Sequence, residues 1–238
     1  MRVLELGSYI IPAYAGMILA EQDHYIVKLT HGTDPIQTLH RGDELWHWIN
    51  AGKYLQERRI DEQQLDEIIR THDIDVVIEN IRPQTWHKWG IDPNEVAHRF
   101  DLSWIGMRSD TPDELDGVSF DVVSQARSWM EFTDWQPFYV GDTTGGLWLA
   151  FKALSMHAHN EIGFRPLYQA SLMQKLVEGE LIIDEPFTSG RTRWDIEPYG
   201  ADDNGAAIEY RGRRYEEPVR DRAWKLKHLK HCDGRIIV

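Results

Sequence analysis

Cysteine is almost absent from the chain: Cys232 is the only one in 238 residues. An internal disulfide and a zinc site built from several cysteines are therefore excluded. Long apolar runs are missing too, since none reaches the roughly 18 to 20 residues that cross a bilayer. The chain opens directly on strand-like residues, 2–6, without a basic leader or an apolar signal region. These absences predict a soluble, cytoplasmic protein.

Positive charge is scarce, and much of it lies at one end. The formal net charge is −13. Residues 211–238 carry nine Lys and Arg against four Asp and Glu, so residues 1–210 carry a net charge of −18. Nucleic-acid binding depends on Lys and Arg that neutralise phosphates, so this acidic body argues against a nucleic-acid partner. An anionic ligand would need a local basic pocket, and the basic tail could contact an acidic partner or the acidic body itself.

Aromatic residues and histidines are plentiful. Ten Trp, nine Tyr and seven Phe are more than a disordered chain carries, so we expect a folded core. Among eleven histidines, the closest pairs are His157 with His159 and His228 with His231. Neither pair has a carboxylate or a third ligand at helical spacing. The sequence therefore predicts no metal site.

The first hundred residues alternate between strand and helix patterns. Short apolar runs, of the kind buried on both faces of a parallel sheet, are separated by amphipathic segments. This order predicts an α/β fold with a doubly wound, Rossmann-like parallel sheet. The predicted strands are Val3–Leu6, Tyr25–Leu29, Val76–Ile78 and Leu102–Met107, and the predicted helices are Pro12–Gln22, Glu62–Thr71 and a short one that follows Asp92 and ends near Phe100.

The second half of the chain is mainly helical until periodicity fails at Asp184. The helix predicted at Thr143–His157 is apolar on nearly every side, so we expect it to be buried. Ile208–Tyr210 and Arg214–Glu216 flank Gly212 and predict a hairpin. The other predictions are helices at Phe120–Phe132, Ser171–Glu178 and Asp221–His231, a strand at Leu167–Ala170 and a loop at Gly200–Gly205.

The carboxyl ends of the predicted strands indicate where a ligand would bind. In open parallel sheets, ligands bind in the crevice beyond these ends. Three strands end at Gly7-Ser8, Glu79-Asn80 and Met107-Arg108. We therefore expect these residues to lie near the binding site.

Several segments resemble class III CoA-transferases, the family of formyl-CoA and carnitine CoA-transferases and α-methylacyl-CoA racemases, and they follow one another in the same order as in that family. The strongest match is residues 75–83, Asp-Val-Val-Ile-Glu-Asn-Ile-Arg-Pro. The matches extend over residues 2–180. The other matching segments are residues 3–10, 12–21, 26–29, 32–35, 50–53, 119–126 and 141–146.

The chain departs from the family in length and at single positions. Family members continue into a small second domain, so we expect a CoA-transferase-like core at residues 1–183 and a shortened segment, hairpin and basic tail, at residues 184–238. Phe120 stands where racemases carry a histidine, which argues against racemase chemistry. Relatives form interlocked dimers, so the resemblance implies a homodimer, although a shorter chain has less length with which to close such a ring.

Asp142 is the candidate nucleophile that the resemblance implies. A carboxylate can attack the thioester of an acyl-CoA, form a mixed anhydride and pass CoA to a carboxylic acid. Asp142 precedes the predicted helix, whose dipole and free N–H groups would favour an anion and lower its pKa. Gly145 and Gly146 could leave room for substrate and offer N–H groups to an oxyanion. From the residues alone, a helix N-cap is the simpler interpretation of Asp142.

Coenzyme A, free or acylated, is the substrate that the resemblance implies, and its phosphates need cations. Lys28, Lys53 and Arg82 are the candidates. Lys28 could instead be a strand-end lysine whose ammonium reaches solvent. Arg82 could instead form an ion pair with Glu79 or Asp75.

The remaining candidates would hold the adenine and the acyl group. The resemblance implies that Asn80 and Ile81, at a strand end, hold the adenine edge. His31 stands where some relatives have an arginine near the adenine, and it could equally be a solvated loop histidine. Ser8 and Tyr9 could line the acyl pocket, or form an ordinary turn between strand and helix.

Three functions are compatible with these features. The first is an enzyme that transfers CoA between an acyl-CoA and a carboxylic acid through Asp142. The second is a module that binds CoA or acyl-CoA without turnover. The third is a scaffold or interaction protein that keeps only the family core. The candidate residues Asp142, Lys28 and Asn80 favour the first two over the third, whereas the shortened chain favours the second and third.

Overall fold

The computed structural model describes residues 1–108, 121, 139–169 and 172, and the backbone of residues 198–202, 205–210 and 213–218. The chain divides into two compact units, residues 1–118 with 142–169 and residues 119–141 with 170–238. The domain boundary expected after residue 183 lies outside the described residues. So do the predicted helices Ser171–Glu178, apart from Leu172, Asp221–His231, and Phe120–Phe132, apart from the helical Asp121.

The first unit contains a sheet of six parallel strands in the order β3-β2-β1-β4-β5-β6. The chain moves outward from β1 to β3, returns to the centre at β4 and moves outward again on the other side. The gap between β1 and β4 is therefore the topological switch point. The strands are β1 Arg2–Leu6, β2 Tyr25–Thr30, β3 Tyr54–Glu57, β4 Val76–Glu79, β5 Ser103–Arg108 and β6 Gly163–Tyr168.

Helices cover both faces of this sheet, as predicted for a doubly wound α/β fold. Leu4, Leu6 and Val27 pack with buried residues of α3, α4 and α5 on one face. Alternate residues of β1 and β2 point to the other face, where α1 and α2 lie. None of the described helices combines the length and apolar character needed to cross a bilayer. The helices are α1 Ile10–Glu21, α2 Gly42–Ile49, α3 Glu62–Thr71, α4 Pro83–Trp89, α5 Pro93–Arg99 and α6 Val140–Ala158, with a 3₁₀ turn at Pro35–Thr38.

Capping residues explain why α3 and α5 begin where the sequence predicts. Asp61 accepts a hydrogen bond from the Gln64 amide at 2.8 Å. Asp92 accepts from the Asn94 amide at 2.8 Å, and Pro93 occupies the first helical position. These bonds satisfy amides that the helix itself leaves without partners.

Three elements of the first unit were not predicted: α2, α4 and β3. β3 is an edge strand whose Tyr54 and Leu55 are exposed, so it lacks a buried apolar run. β6 is also an edge strand, and it replaces the strand predicted at Leu167–Ala170. It contains Pro166, which has no N–H and is tolerated in a strand at an edge.

The second unit contains an antiparallel sheet of three strands, β7 Pro198–Asp202, β8 Gly205–Tyr210 and β9 Arg213–Pro218. The pairing of β8 with β9 confirms the predicted hairpin and extends both of its strands. β7 runs through the first half of the loop predicted at Gly200–Gly205, so that prediction is wrong there. An irregular register between Tyr199 and Asp202 accompanies the extra strand.

Candidate active site

Asp142 lies in the first turn of α6 and is buried, with 8% of its surface exposed. The helix begins at Val140, three residues before the Thr143 at which a helix capped by Asp142 would begin, so the N-cap interpretation is wrong. Oδ1 of Asp142 accepts a hydrogen bond from Nε2 of Gln169 at 3.1 Å. A carboxylate in the first turn also interacts favourably with the helix dipole. The local structure therefore suits an ionised, fixed carboxylate.

Gly145 and Gly146 contact α1 rather than an open pocket. A Cβ on Gly146 would lie 2.9 Å from Cδ1 of Tyr14 and 3.0 Å from the carbonyl oxygen of Ile11. Both glycines follow the first four helical amides, so their N–H groups belong to the hydrogen-bond ladder of α6. Their expected contribution to an oxyanion site is therefore not supported, and Gly146 instead permits close packing of α6 on α1.

The turn between β1 and α1 is held by the side chain of Asn80. Its Nδ2 donates to the Ser8 carbonyl at 2.9 Å, and its Oδ1 accepts from the Ser8 amide at 3.3 Å. Gly7 has a φ of 105°, and a Cβ there would lie 2.0 Å from Oδ1 of Asn80. The structure thus brings Ser8 and Asn80 together, with the Asn80 amide bound to the backbone of the turn.

Tyr9 follows Ser8 in a backbone conformation that is nearly restricted to glycine. Its φ is 64° and its ψ is −152°, which costs of order 1–3 kcal/mol. The Tyr9 amide donates to Oδ1 of Asp34 at 3.1 Å, and the same oxygen accepts from the Ile36 amide at 3.0 Å. The turn expected to line an acyl pocket is therefore strained, and Asp34 and Asn80 hold it from two sides.

Lys28 and Lys53 both bind the buried carboxylate of Glu5. Nζ of Lys28 lies 2.6 Å from Oε1, and Nζ of Lys53 lies 2.7 Å from Oε2. Lys53 also donates to the Ala13 carbonyl at 2.7 Å and to Oδ1 of Asn50 at 3.0 Å. The three charged side chains have 0–1% of their surfaces exposed. We call Glu5, Lys28 and Lys53 the buried ion cluster.

Burial and the unequal charges of the buried ion cluster, in which two ammonium groups share one carboxylate, shift the pKa values of Lys53 and Glu5. Burial, only partly offset by Glu5, lowers the pKa of Lys53 to about 8. Burial raises the pKa of Glu5, but the attraction of Lys28 and Lys53 outweighs it and the pKa is lowered. Gly16 permits this packing, since a Cβ there would lie 2.1 Å from Oε2 of Glu5.

The two lysines predicted to bind phosphate, Lys28 in β2 and Lys53 in the turn before β3, are thus enclosed by the protein. With 1% of its side chain exposed, Lys28 does not reach solvent, so the alternative of a snorkelling lysine is wrong. Both ammonium groups are bound to Glu5, and a phosphate could reach them only if the cluster opened. The motif resemblance could not reveal this, because Glu5 is 23 residues from Lys28 and 48 from Lys53 in the chain.

A second buried ion pair lies at the carboxyl ends of β4 and β5. Nη2 of Arg108 lies 2.6 Å from Oε1 of Glu79, and the guanidinium lies over the Phe164 ring at 5.1 Å. The Ile81 amide donates to the other oxygen of Glu79. The pair therefore supports the backbone of Ile81, a residue expected to lie at the adenine.

Arg82 is exposed at the start of α4 and has no ion pair among the residues that the structure describes. Its two expected alternative partners are engaged elsewhere. Glu79 binds Arg108, and Asp75 accepts a hydrogen bond from the Arg2 amide at 2.7 Å. Of the three residues predicted to bind phosphate, only Arg82 faces solvent.

An open, polar cleft of about 720 Å³ lies beyond the carboxyl ends of β2 and β3. His31 lines it together with Arg58 and Arg59. Arg58 is paired with Glu67 at 3.1 Å, and both are partly exposed. The two arginines escaped the sequence analysis because β3 was not predicted, although a basic pair after a strand-like Tyr-Leu-Gln-Glu would have indicated them. The other residues lining the cleft are Glu57, Asp61, Gln63, Gln64 and Glu67.

Metal ligands are not assembled in the described part of the chain. There, no group of three or more His, Cys, Asp or Glu side chains is arranged to hold an ion. Of the histidine pairs singled out above, His159 donates through Nδ1 to the Ser155 carbonyl oxygen of its own helix at 2.8 Å. His228 and His231 lie outside the described residues.

Comparison with known proteins identifies the family to which the chain belongs. Residues 1–163 match the family model described as CoA-transferase family III. The alpha subunit of succinyl-CoA–L-malate CoA-transferase of Chloroflexus aurantiacus is 28% identical over 101 residues, which are 38% of this chain and 24% of that protein. The chain thus matches about a quarter of the length of this curated relative.

Solved structures share the fold. A hypothetical protein of Mycobacterium tuberculosis has a TM-score of 0.64 at 20% identity, covering 87% of this chain and 63% of that one. A CAIB/BAIF family protein of Brucella suis has a TM-score of 0.66 at 17% identity, covering 90% of this chain and 64% of that one. The chain spans slightly less than two thirds of the length of both.

Proposed function

Because the chain belongs to CoA-transferase family III, as its motifs predicted, we propose that it moves CoA between an acyl-CoA and a carboxylic acid through Asp142. Family membership supports CoA transfer in general. The observation that supports Asp142 is its placement: a buried carboxylate in the first turn of α6, bound by a neutral amide donor. The acyl donor and acceptor are open, and the named relative makes succinyl-CoA and L-malate the first pair to test.

The transfer of CoA from one acid to the other takes four steps at Asp142. The carboxylate attacks the thioester carbonyl, the C–S bond breaks, and a mixed anhydride and CoA thiolate form. The thiolate then attacks the aspartyl carbonyl, which releases the first acid and leaves an aspartyl-CoA thioester. The acceptor carboxylate attacks this thioester and forms a second anhydride, again releasing the thiolate. Finally, the thiolate takes the new acyl group and Asp142 is regenerated.

We propose that the CoA phosphates bind at the exposed basic groups of the carboxyl edge. His31, Arg58 and Arg59 line one cleft there, and Arg82 starts α4 on the other side of the switch point. Guanidinium groups bind phosphate oxygens in a bidentate manner, which suits these positions. The adenine edge at Asn80 and Ile81 and a homodimer remain predictions from the resemblance, and a cytoplasmic location remains a prediction from the sequence.

Ligand binding and turnover can be tested separately. We expect millimolar CoA to raise the melting temperature of the wild type. Arg59→Ala and Arg82→Ala should reduce that rise, while Lys88→Ala, a matched exposed cation, should not. If CoA does not stabilise the protein, both the transferase and the CoA-binding module are excluded as functions, and the scaffold remains.

Turnover is tested with succinyl-CoA and a panel of carboxylic acids that begins with L-malate. Mass spectrometry should detect the exchanged thioester and a covalent adduct at Asp142. Asp142→Ala and the isosteric Asp142→Asn should abolish exchange and keep the CoA-induced thermal shift. Exchange that survives in both variants would exclude Asp142 as the nucleophile, and CoA binding without exchange would favour the module that binds without turnover.

A further inference from the structure

Gln169 is the first residue after β6, and its side chain is directed at Asp142. It is completely buried, and its Nε2 lies 3.1 Å from Oδ1 of Asp142. A buried amide that donates to a carboxylate forms a charge-assisted hydrogen bond, which is stronger than a neutral one. It achieves this without a positive charge that would compete for the carboxylate as an ion pair.

The fold fixes the donor and the acceptor independently. β6 pairs with β5 along its whole length, up to Arg108 opposite Tyr168, so the position of the next residue is set by the sheet. α6 is set by its packing on α1, where Gly146 brings the two backbones together. The contact between Gln169 and Asp142 therefore joins two anchored elements.

We propose that Gln169 is a positioning residue for the nucleophile, an inference that rests on the proposed function of Asp142. Its amide holds Oδ1, so that the other oxygen, Oδ2, forms the bond to the acyl carbon. Oδ1 then becomes the carbonyl oxygen of the anhydride. When the CoA thiolate attacks the aspartyl carbon, the C–O electron pair moves onto Oδ1, and the same amide stabilises the resulting oxyanion.

Loss of one such donor typically lowers kcat by about 10²–10³-fold. We therefore expect Gln169→Leu to lower the rate of adduct formation from succinyl-CoA by at least tenfold, with KM and the CoA-induced thermal shift changed by less than threefold. Gln22→Leu, which replaces an exposed amide directly after α1, serves as the control and should match the wild type.

Gln169→Glu distinguishes positioning from a purely structural role. A glutamic acid can donate to Asp142 only while it holds a proton, and two carboxyl groups at this distance share one. Its activity should therefore rise as pH falls relative to the wild type, whereas a structural role would lower the melting temperature and leave the shape of the pH profile unchanged. A wild-type rate or an unshifted profile would overturn the inference.

Failure of the proposed function has a different signature. If Asp142→Ala retains exchange, the nucleophile is misassigned and the inference falls with it. If Asp142→Ala is inactive but both Gln169 variants keep the wild-type rate, only the inference falls. The contact itself is checked without turnover by the side-chain amide signal of Gln169 in ¹⁵N NMR, which should shift in Asp142→Ala.

Discussion

Replacing Glu5 by Gln should strongly destabilise the fold. The substitution preserves shape but removes the carboxylate that Lys28 and Lys53 share at 2.6 and 2.7 Å. Both ammonium groups would then be buried without a counter-charge. Removing one partner of a buried ion pair typically costs about 3–5 kcal/mol. We expect a loss of that size in the free energy of unfolding at pH 7, measured by urea denaturation.

Lys53→Met is the matched control, because it removes the surplus charge instead of the shared one. In the fold, the pKa of Lys53 falls from 10.5 to about 8, so carrying that charge costs about 3 kcal/mol at pH 7. The variant loses the hydrogen bonds to Ala13 and Asn50 but escapes this cost. We expect its unfolding free energy to stay within about 2 kcal/mol of the wild type.

The sign of the pH dependence follows from the lowered pKa of Lys53. Between pH 8 and about 10.5 the unfolded chain holds the proton that the folded chain has lost. Since stability rises with pH wherever the unfolded state binds more protons, the contribution of Lys53 should increase by about 3 kcal/mol across this range. Lys53→Met should lack that increase. A Glu5→Gln variant within 1 kcal/mol of the wild type at pH 7, or equal pH slopes in wild type and Lys53→Met, would refute the reasoning.

Three further substitutions test local geometry. Tyr9→Gly relieves backbone strain of about 1–3 kcal/mol, so it should melt at a higher temperature than Tyr9→Ala, which keeps the strain. Equal melting temperatures of the two variants would argue against strain at this position. Gly146→Ala places a methyl group 2.9 Å from Cδ1 of Tyr14 and should cost about 1–3 kcal/mol by thermal unfolding, where no change would contradict the close packing. Arg108→Met leaves Glu79 buried without its cation and should lower the free energy of unfolding, measured by urea denaturation, by about 3–5 kcal/mol. An unchanged free energy would show that the ion pair contributes only packing.

The fold could largely be predicted from the sequence, because the central strands of the sheet have a clear apolar pattern. Val76–Glu79 and Ser103–Arg108 are buried at every position, and the apolar residues that form most of each strand are typical of the middle of a parallel sheet. The edge strands β3 and β6 lack that signal: one exposes Tyr54 and Leu55, and the other contains Pro166. Edge strands depend on pairing with a neighbour, which a single sequence does not show.

The candidate site was predicted in outline and not in its contacts. The strand ends at Ser8 and Asn80 do lie together, as the rule for parallel sheets implies. The contacts of Lys28 and Lys53 with Glu5 were not predicted, because nothing local in the sequence connects these lysines with Glu5. Gln169 escaped notice for the same reason, since 27 residues separate it from Asp142. Long-range partners decide whether a polar residue faces a ligand or the core.

The buried ion cluster also bears on how the sheet assembles. Its carboxylate comes from β1 and its cations from β2 and from the turn before β3. Until all three segments are in place, at least one of these charges has lost water without gaining its full set of partners, which is unfavourable. Partly formed versions of this half of the sheet are therefore penalised, and its strands should gain or lose protection against hydrogen exchange together.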